Sequence, residues 1–295
     1  MLGLLASTIP VFAAGHSKEK EDKKAILLVA FGTSVKSTLP AYENIEQEVR
    51  KAFPDVEVRW AYTSDFIRKK VAKRDGITID SPITALAKLQ DEGYNLVAVQ
   101  SLHIFPGQEY NDLRNIVEGF QSIKRAKGDV GLKKLVLGHP LLYAYEDYVK
   151  VVSALTNQFG EYEADDAIVL MGHGSDHYAF PAYSCLNDML RRMCKNAFLG
   201  CVEGYPSFDE LKQDLKASGV KAVRLMPFMI VAGDHAINDL AGDEDDSWKR
   251  QLIQEGYEVS VYLKGLGENN DIARIYLEHL KGALAQLEVT ERRLK

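Results

Sequence analysis

The sequence predicts an α/β protein of two similar lobes, each a parallel sheet flanked by helices, and three observations carry that prediction. From residue 24 onward, short β-branched apolar runs alternate with stretches of helical period. The run AILLVAFGTS at 25–34 lies over AIVLMGHGSD at 167–176 at a shift of 142, and the same shift lays WAYTSDF at 60–66 over VEGYPSF at 202–208. Near the third strands the shift becomes 126, with LHIFPGQEYNDL at 102–113 over FMIVAGDHAIND at 228–239. One strand followed by glycine matches many others, but several matches in one order indicate duplication.

Taken in order, strands are expected at 25–31, 56–62, 96–103 and 134–138 in the first half, and at 167–173, 199–203, 222–231 and 257–263 in the second. The near-continuous apolar character of the inner runs is that of strands covered on both faces. Helices are expected at 41–52, 83–91, 110–124, 145–159, 183–195, 208–217 and 247–254, with a last one at 271–287, because apolar residues there recur at helical spacing. The resulting domain plan is an N-terminal lobe at 24–160, a C-terminal lobe with the metal site at 161–265, and a C-terminal segment at 266–295 whose helix packs back on the first lobe.

Lys and Arg number 36 against 42 Asp and Glu, a net charge of −6, and no basic tract is present, so the electrostatic footprint of a nucleic-acid binder is missing. Apolar residues at 46% and charged residues at 26% are ordinary globular usage and exclude a disordered chain or a polytopic membrane protein. Cys185, Cys194 and Cys201 show no CxxC spacing and read as packing thiols. Residues 1–14, MLGLLASTIPVFAA, are uncharged, too short to span a bilayer, and end with Val11 and Ala13 suited to the −3 and −1 positions of a signal-peptidase site. The charged stretch GHSKEKEDKK follows. This reads as a signal peptide and a periplasmic mature protein, against the alternatives of a buried N-terminal element and a cytoplasmic chain.

Ligands of open α/β sheets bind beyond the carboxyl ends of the strands. In the second half those positions carry His173, Glu203 and, after the third strand, His235; the duplicated positions of the first half carry Phe31, Ala61 and Glu109. Two imidazoles and a carboxylate are ligands for a borderline divalent metal and leave coordination positions open. His177 reads as a substrate contact or a solvated group. His103, at the end of a first-half strand, reads as structural or as a haem-iron ligand at a subunit contact. The acids at 243–246 precede a helix that they cap or, less simply, concentrate a metal near the crevice. His16, His139 and His279 show no evident partner. Neither half has GxGxxG or a P-loop, so a nucleotide is not expected.

LVAFGTS, RWAYTS (59–64), LHIFPGQEY (102–110), GHP (138–140), LMGHGSDH (170–177), CVEGYPS (201–207) and AGDHAINDLAGDEDDSW (232–248) together resemble the anaerobic-type sirohydrochlorin cobaltochelatases, class II chelatases similar in fold to ferrochelatase. The resemblance covers residues 24–287. It implies two flavodoxin-like halves holding a sirohydrochlorin-type tetrapyrrole in the cleft between them, and metal-site residues at His173, Glu203 and His235. It also implies insertion of Co²⁺ in cobalamin- or sirohaem-type biosynthesis; a His/Glu/His set discriminates poorly between Fe²⁺ and Co²⁺ by affinity, so insertion of Fe²⁺ is expected as well. His173 is then ligand and proton acceptor, His235 holds the metal from the facing loop, and Glu203 completes the site or carries protons away. Lys36 and the backbone N–H groups of residues 32–38 are expected to meet the acidic substituents, and a homo-oligomer is expected. The rival reading is an exported metal- or haem-binding delivery protein without catalysis.

Overall fold

The apolar runs become strands wherever helices cover both of their faces. The computed structural model describes residues 22–123, 131–163 and 165–288; the leader at 1–14 and His16 lie outside them. In the first lobe β1 (Lys24–Ala30), β2 (Glu57–Tyr62), β3 (Leu96–Ser101) and β4 (Lys134–Gly138) form a parallel sheet in the order β2-β1-β3-β4. In the second, β5 (Asp166–Gly174), β6 (Ala197–Glu203), β7 (Ala222–Phe228) and β8 (Glu258–Val261) repeat it as β6-β5-β7-β8. The shared order is the duplication read from the sequence.

The two-residue side-chain period divides each sheet between two cores. Ile26 and Leu28 of β1 and Ile168 and Leu170 of β5 enter one apolar cluster that runs through both lobes. Their neighbours Leu27 and Val29, and Val169 and Met171, turn to separate outer clusters. The helices that close the first lobe are α1 (Leu39–Ala52), α2 (Asp65–Asp75), α3 (Pro82–Asp91), α4 (Gln108–Ser122) and α5 (Tyr145–Phe159). The second lobe adds α6 (Pro181–Met193), α7 (Phe208–Ser218) and α8 (Trp248–Gln254), and α9 (Asn270–Glu288) ends the described chain.

Several expectations need correction. Helix α2 was not foreseen, because it buries only Ile67 and Val71 and so has almost no apolar period. Its ends carry the signal instead: Ser64 Oγ accepts the N–H of Ile67, and Gly76 closes the helix in the left-handed conformation. Strand β3 stops at Ser101, so His103 lies two residues beyond it, and β7 stops at Phe228 rather than at 231. Helix α8 is capped by Ser247, whose Oγ accepts from Arg250 N–H, and not by the preceding acids. Asp243 pairs instead with Lys249. Cys185 is exposed rather than packed, while Cys194 and Cys201 are buried.

Helix α9 packs on the first lobe. Tyr276 is buried and donates its hydroxyl to the carbonyl of His103 at 3.0 Å. His279 Nε2 lies 2.9 Å from Asp147 Oδ1 and Nδ1 lies 3.2 Å from the carbonyl of His139. The ring thus bridges a backbone carbonyl and the side chain of Asp147, which is 6% exposed. The other oxygen of Asp147 accepts the N–H of Ala144 at 2.7 Å and so caps α5. His139 stacks on Tyr143 with ring centroids 3.7 Å apart. His139 and His279, which looked partnerless in the sequence, thus belong to one partly buried polar cluster.

Removing one partner of a buried hydrogen bond leaves the other unsatisfied. Asp147→Ala, which strips His279 and the N–H of Ala144 of their acceptor, is therefore expected to lower stability by about 2 kcal/mol, read as a fall in the urea midpoint at unchanged m-value.

Candidate metal and tetrapyrrole site

Two glycines at duplicated positions set the shape of the crevice. Gly32 has φ +110° and Gly174 has φ +86°; Gly174 ends β5, and Gly32 follows β1 by two residues. A Cβ at Gly174 would fall 1.6 Å from the carbonyl oxygen of Glu203, so only glycine lets β5 and β6 converge there. That convergence brings the carboxyl ends of both strands together, with Gly174 in register with Glu203.

His173, the last residue of β5 before that glycine, is exposed. His235 follows β7 at the entrance to a π-helical turn at Ala236–Leu240 and is half-buried. Their ring centroids are 4.8 Å apart and the planes are nearly perpendicular, at 88°. His173 Nδ1 lies 3.3 Å from the carbonyl of Gly174, and His235 Nδ1 lies 2.5 Å from Asp239 Oδ2. A carbonyl and a carboxylate accept, so each Nδ1 carries the proton and each Nε2 keeps its lone pair for a metal.

Glu203 ends β6 with an exposed side chain that makes no hydrogen bond or ion pair among the described residues. The structure thus joins the two histidines of the expected triad and leaves the carboxylate apart: among the described residues no three His, Cys, Asp or Glu side chains converge as a metal-holding group. Asp239 was missed in the sequence, although its spacing of four from His235 is the one that places two side chains on the same helical face.

The facing lobe supplies different chemistry. Phe31, on the duplicated position of His173, is 49% exposed, and Phe66 at the start of α2 is 70% exposed. Lys70 of α2 reaches 3.9 Å from Asp234, the neighbour of His235. From α4, Asn111 Nδ2 stands 3.3 Å from His177 Nε2 and 3.3 Å from the Tyr178 hydroxyl. The carboxyl ends of the two sheets therefore face each other. Lys36, expected to meet substrate acids, is paired with Asp75 at 2.9 Å. The loop at 32–38 uses donors internally, Val35 N–H to Thr33 Oγ1 and Thr38 N–H to the Val35 carbonyl.

His103 is only 9% exposed. Its Nδ1 pairs with Ser101 Oγ at 2.8 Å, and Nε2 has no hydrogen-bond partner, the nearest acid being Glu109 at 4.0 Å. Burial pushes its pKa down to about 4, so the ring is neutral.

Two duplicated lobes that oppose their strand ends over a pair of metal-ready imidazoles and a wall of exposed aromatics define a chelatase-type α/β protein. The cobalt chelatase (CbiK) family matches residues 24–285, and the chain belongs to that family. It is 42% identical over 265 residues to a Salmonella typhimurium protein named sirohydrochlorin cobaltochelatase, covering 89% of this chain and 97% of that one. It is 37% identical over 267 residues to sirohydrochlorin cobaltochelatase CbiKC of Nitratidesulfovibrio vulgaris, covering 90% and 92%. The solved structure of SirB from Bacillus subtilis with Fe³⁺ shares the fold, with a TM-score of 0.57 at 17% identity over 90% of this chain and 97% of its own.

The depressed pKa of His103 has a consequence for folding. The unfolded ring protonates near 6.5 and the folded one near 4, so the unfolded state binds the extra proton first as pH falls. Stability is then full above pH 6.5 and declines by about 3 kcal/mol toward pH 4. Urea midpoints at a series of pH values should show this decline in the wild type and a shallower one in His103→Gln.

Proposed function

We propose that this chain is a sirohydrochlorin cobaltochelatase: it inserts Co²⁺ into the metal-free macrocycle, and two pyrrole N–H protons leave as the metal enters. The observation that carries the reading is the His173–His235 pair, with both Nδ1 atoms tied to oxygen and both Nε2 lone pairs left for the metal. Two imidazoles bind a divalent metal while leaving positions to water and to the incoming pyrrole nitrogens. As the metal passes to the macrocycle, the Nε2 of His173 is released and takes up a proton, since the same imidazole lone pair can hold either a metal or a proton. His235 holds the metal from the facing turn, and Asp239 fixes its tautomer. Glu203, exposed and unpaired among the described residues, supplies a further ligand or passes protons to solvent.

The donor set does not separate Fe²⁺ from Co²⁺ by affinity, so we take Fe²⁺ as a second metal accepted in vitro. A haem at His103 is not part of this reading, because an iron needs an accessible axial nitrogen and this ring is buried. Membership of a chelatase family favours catalysis over metal delivery. Export is proposed from the uncharged apolar leader alone, and the family match begins only at residue 24.

His173→Ala should abolish Co²⁺ insertion, followed by the absorbance change of sirohydrochlorin, at unchanged thermal stability. His235→Ala and Glu203→Ala should raise the Co²⁺ requirement more gradually. Asp239→Ala should lower metal affinity or activity roughly tenfold to a hundredfold, the usual cost of losing a group that orients a ligand. Wild-type turnover by His173→Ala would overturn the assignment of the base.

N-terminal sequencing of the protein from its native cells should return a start near Ala14 or Gly15. A start at Met1 would remove the proposed export.

A further inference from the structure

The lobes are joined in two physically different ways. One is the apolar cluster shared by β1, β5 and the helices between them. The other is a set of polar contacts across the crevice mouth, where Asn111 meets His177 and Tyr178 and Lys70 meets Asp234. None of these polar contacts is shorter than 3.3 Å. Such contacts open at little cost.

The direction of the first contact follows from the loop after β5. The N–H of Ala179 points at His177 Nδ1 at 3.2 Å, and a backbone N–H only donates, so Nδ1 is the acceptor. The neutral ring then carries its proton on Nε2. The Tyr178 hydroxyl, whose ring lies 3.9 Å from that of His177, stands beside it and accepts from Asn111 Nδ2 at 3.3 Å. Nδ2 also faces His177 Nε2 at 3.3 Å, where two N–H groups would oppose each other; a half-turn of the carboxamide replaces Nδ2 by Oδ1, to which the Nε2–H and the hydroxyl can both donate. The loop is held ready by its own bonds, His177 N–H to Ser175 Oγ at 3.0 Å and Phe180 N–H to the His177 carbonyl at 2.8 Å.

We propose that His177 Nε2–H and Tyr178 O–H form a carboxylate-reading subsite whose vacant-state occupant is the Asn111 carboxamide, so that entry of an acidic macrocycle opens the crevice by exchanging one oxygen acceptor for another. The proposal rests on the chelatase reading for the identity of the macrocycle. The exchange is favourable because a hydrogen bond to a charged oxygen is stronger than one to a neutral amide. The Lys70–Asp234 contact follows the same logic, since a substrate carboxylate replaces the aspartate as partner of the ammonium group. Asn111 is then a positioning residue that holds the empty crevice shut, and His177 and Tyr178 are specificity residues.

The test is equilibrium binding of metal-free sirohydrochlorin, read by its fluorescence, to the full chain and to Asn111→Ala, to the double variant His177→Phe with Tyr178→Phe, and to the triple variant. The same titration with a porphyrin diacid, and Co²⁺ insertion by the wild type, are run in parallel, with thermal melts confirming that each variant is folded. Loss of a hydrogen bond to a charged group predicts about tenfold weaker sirohydrochlorin binding in the double variant and a much smaller change with the diacid. Asn111→Ala should tighten binding in the wild-type background and have no effect in the double variant, because its partners are gone. Unchanged or weaker binding by Asn111→Ala, or equal losses for both macrocycles, would overturn the proposal. A wild type that binds sirohydrochlorin but inserts no cobalt defeats the chelatase reading and leaves the subsite supported if the variants behave as stated. A wild type that binds no tetrapyrrole defeats both.

Discussion

The approach of β5 to β6 at Gly174 is the contact on which the site depends. No side chain fits between the Gly174 Cα and the Glu203 carbonyl, and the backbone there takes a φ that glycine adopts without strain. The close approach aligns two strand ends, so that His173 and Glu203 emerge from neighbouring strands. The positive φ then turns the chain off the sheet into the loop that carries His177 and Tyr178. One backbone constraint thus positions His173 and the loop at the crevice mouth. The duplicated Gly32 makes the same turn in the first lobe, where the exposed residue before it is Phe31. Duplication supplied two equivalent crevice walls, and one of them carries the histidine pair.

The rigid side of the crevice is assembled from long-range contacts. Alternate residues of β1 and β5 feed a common core, and α9 is fastened to the first lobe by the buried Tyr276 hydroxyl and by the His279–Asp147 pair. Ion pairs on the surface of α9, such as Lys24–Glu288 and Lys150–Glu278, add little by comparison because water screens them. The lobes therefore have a firmly packed side and a mouth crossed by weak polar contacts. A planar macrocycle needs that combination, since the walls keep their spacing while the entrance yields.

Tautomer control is the second organising element. His173, His235 and His177 each have one ring nitrogen engaged by a group whose hydrogen-bonding sense is fixed. In the proposed function the free nitrogen of the first two serves as a ligand, whereas for His177 the engaged nitrogen accepts and the free one donates. On that proposal the same residue type serves metal handling and acid recognition a few residues apart. His103, buried and with its pKa held near 4, takes neither role and belongs to the packing of the first lobe.

The sequence by itself determined the alternation of strands and helices, the duplication, and the placing of His173 and Glu203 at strand ends with His235 in the turn after the third strand. Each of these is a local consequence of period, glycine position and strand length, and each repeats at a measurable shift. Helix α2 escaped because only Ile67 and Val71 are buried, leaving no period to detect. Tertiary structure alone decided that the two histidines meet while Glu203 stands apart, that Lys36 is spent on Asp75, and that Asn111 faces His177 across 66 residues. It likewise decided that His279 pairs with Asp147, 132 residues away. The physical reason is that burial and period are properties of a short segment, whereas the partner of a polar side chain is fixed by which surfaces the shared core brings within about 3 Å of it.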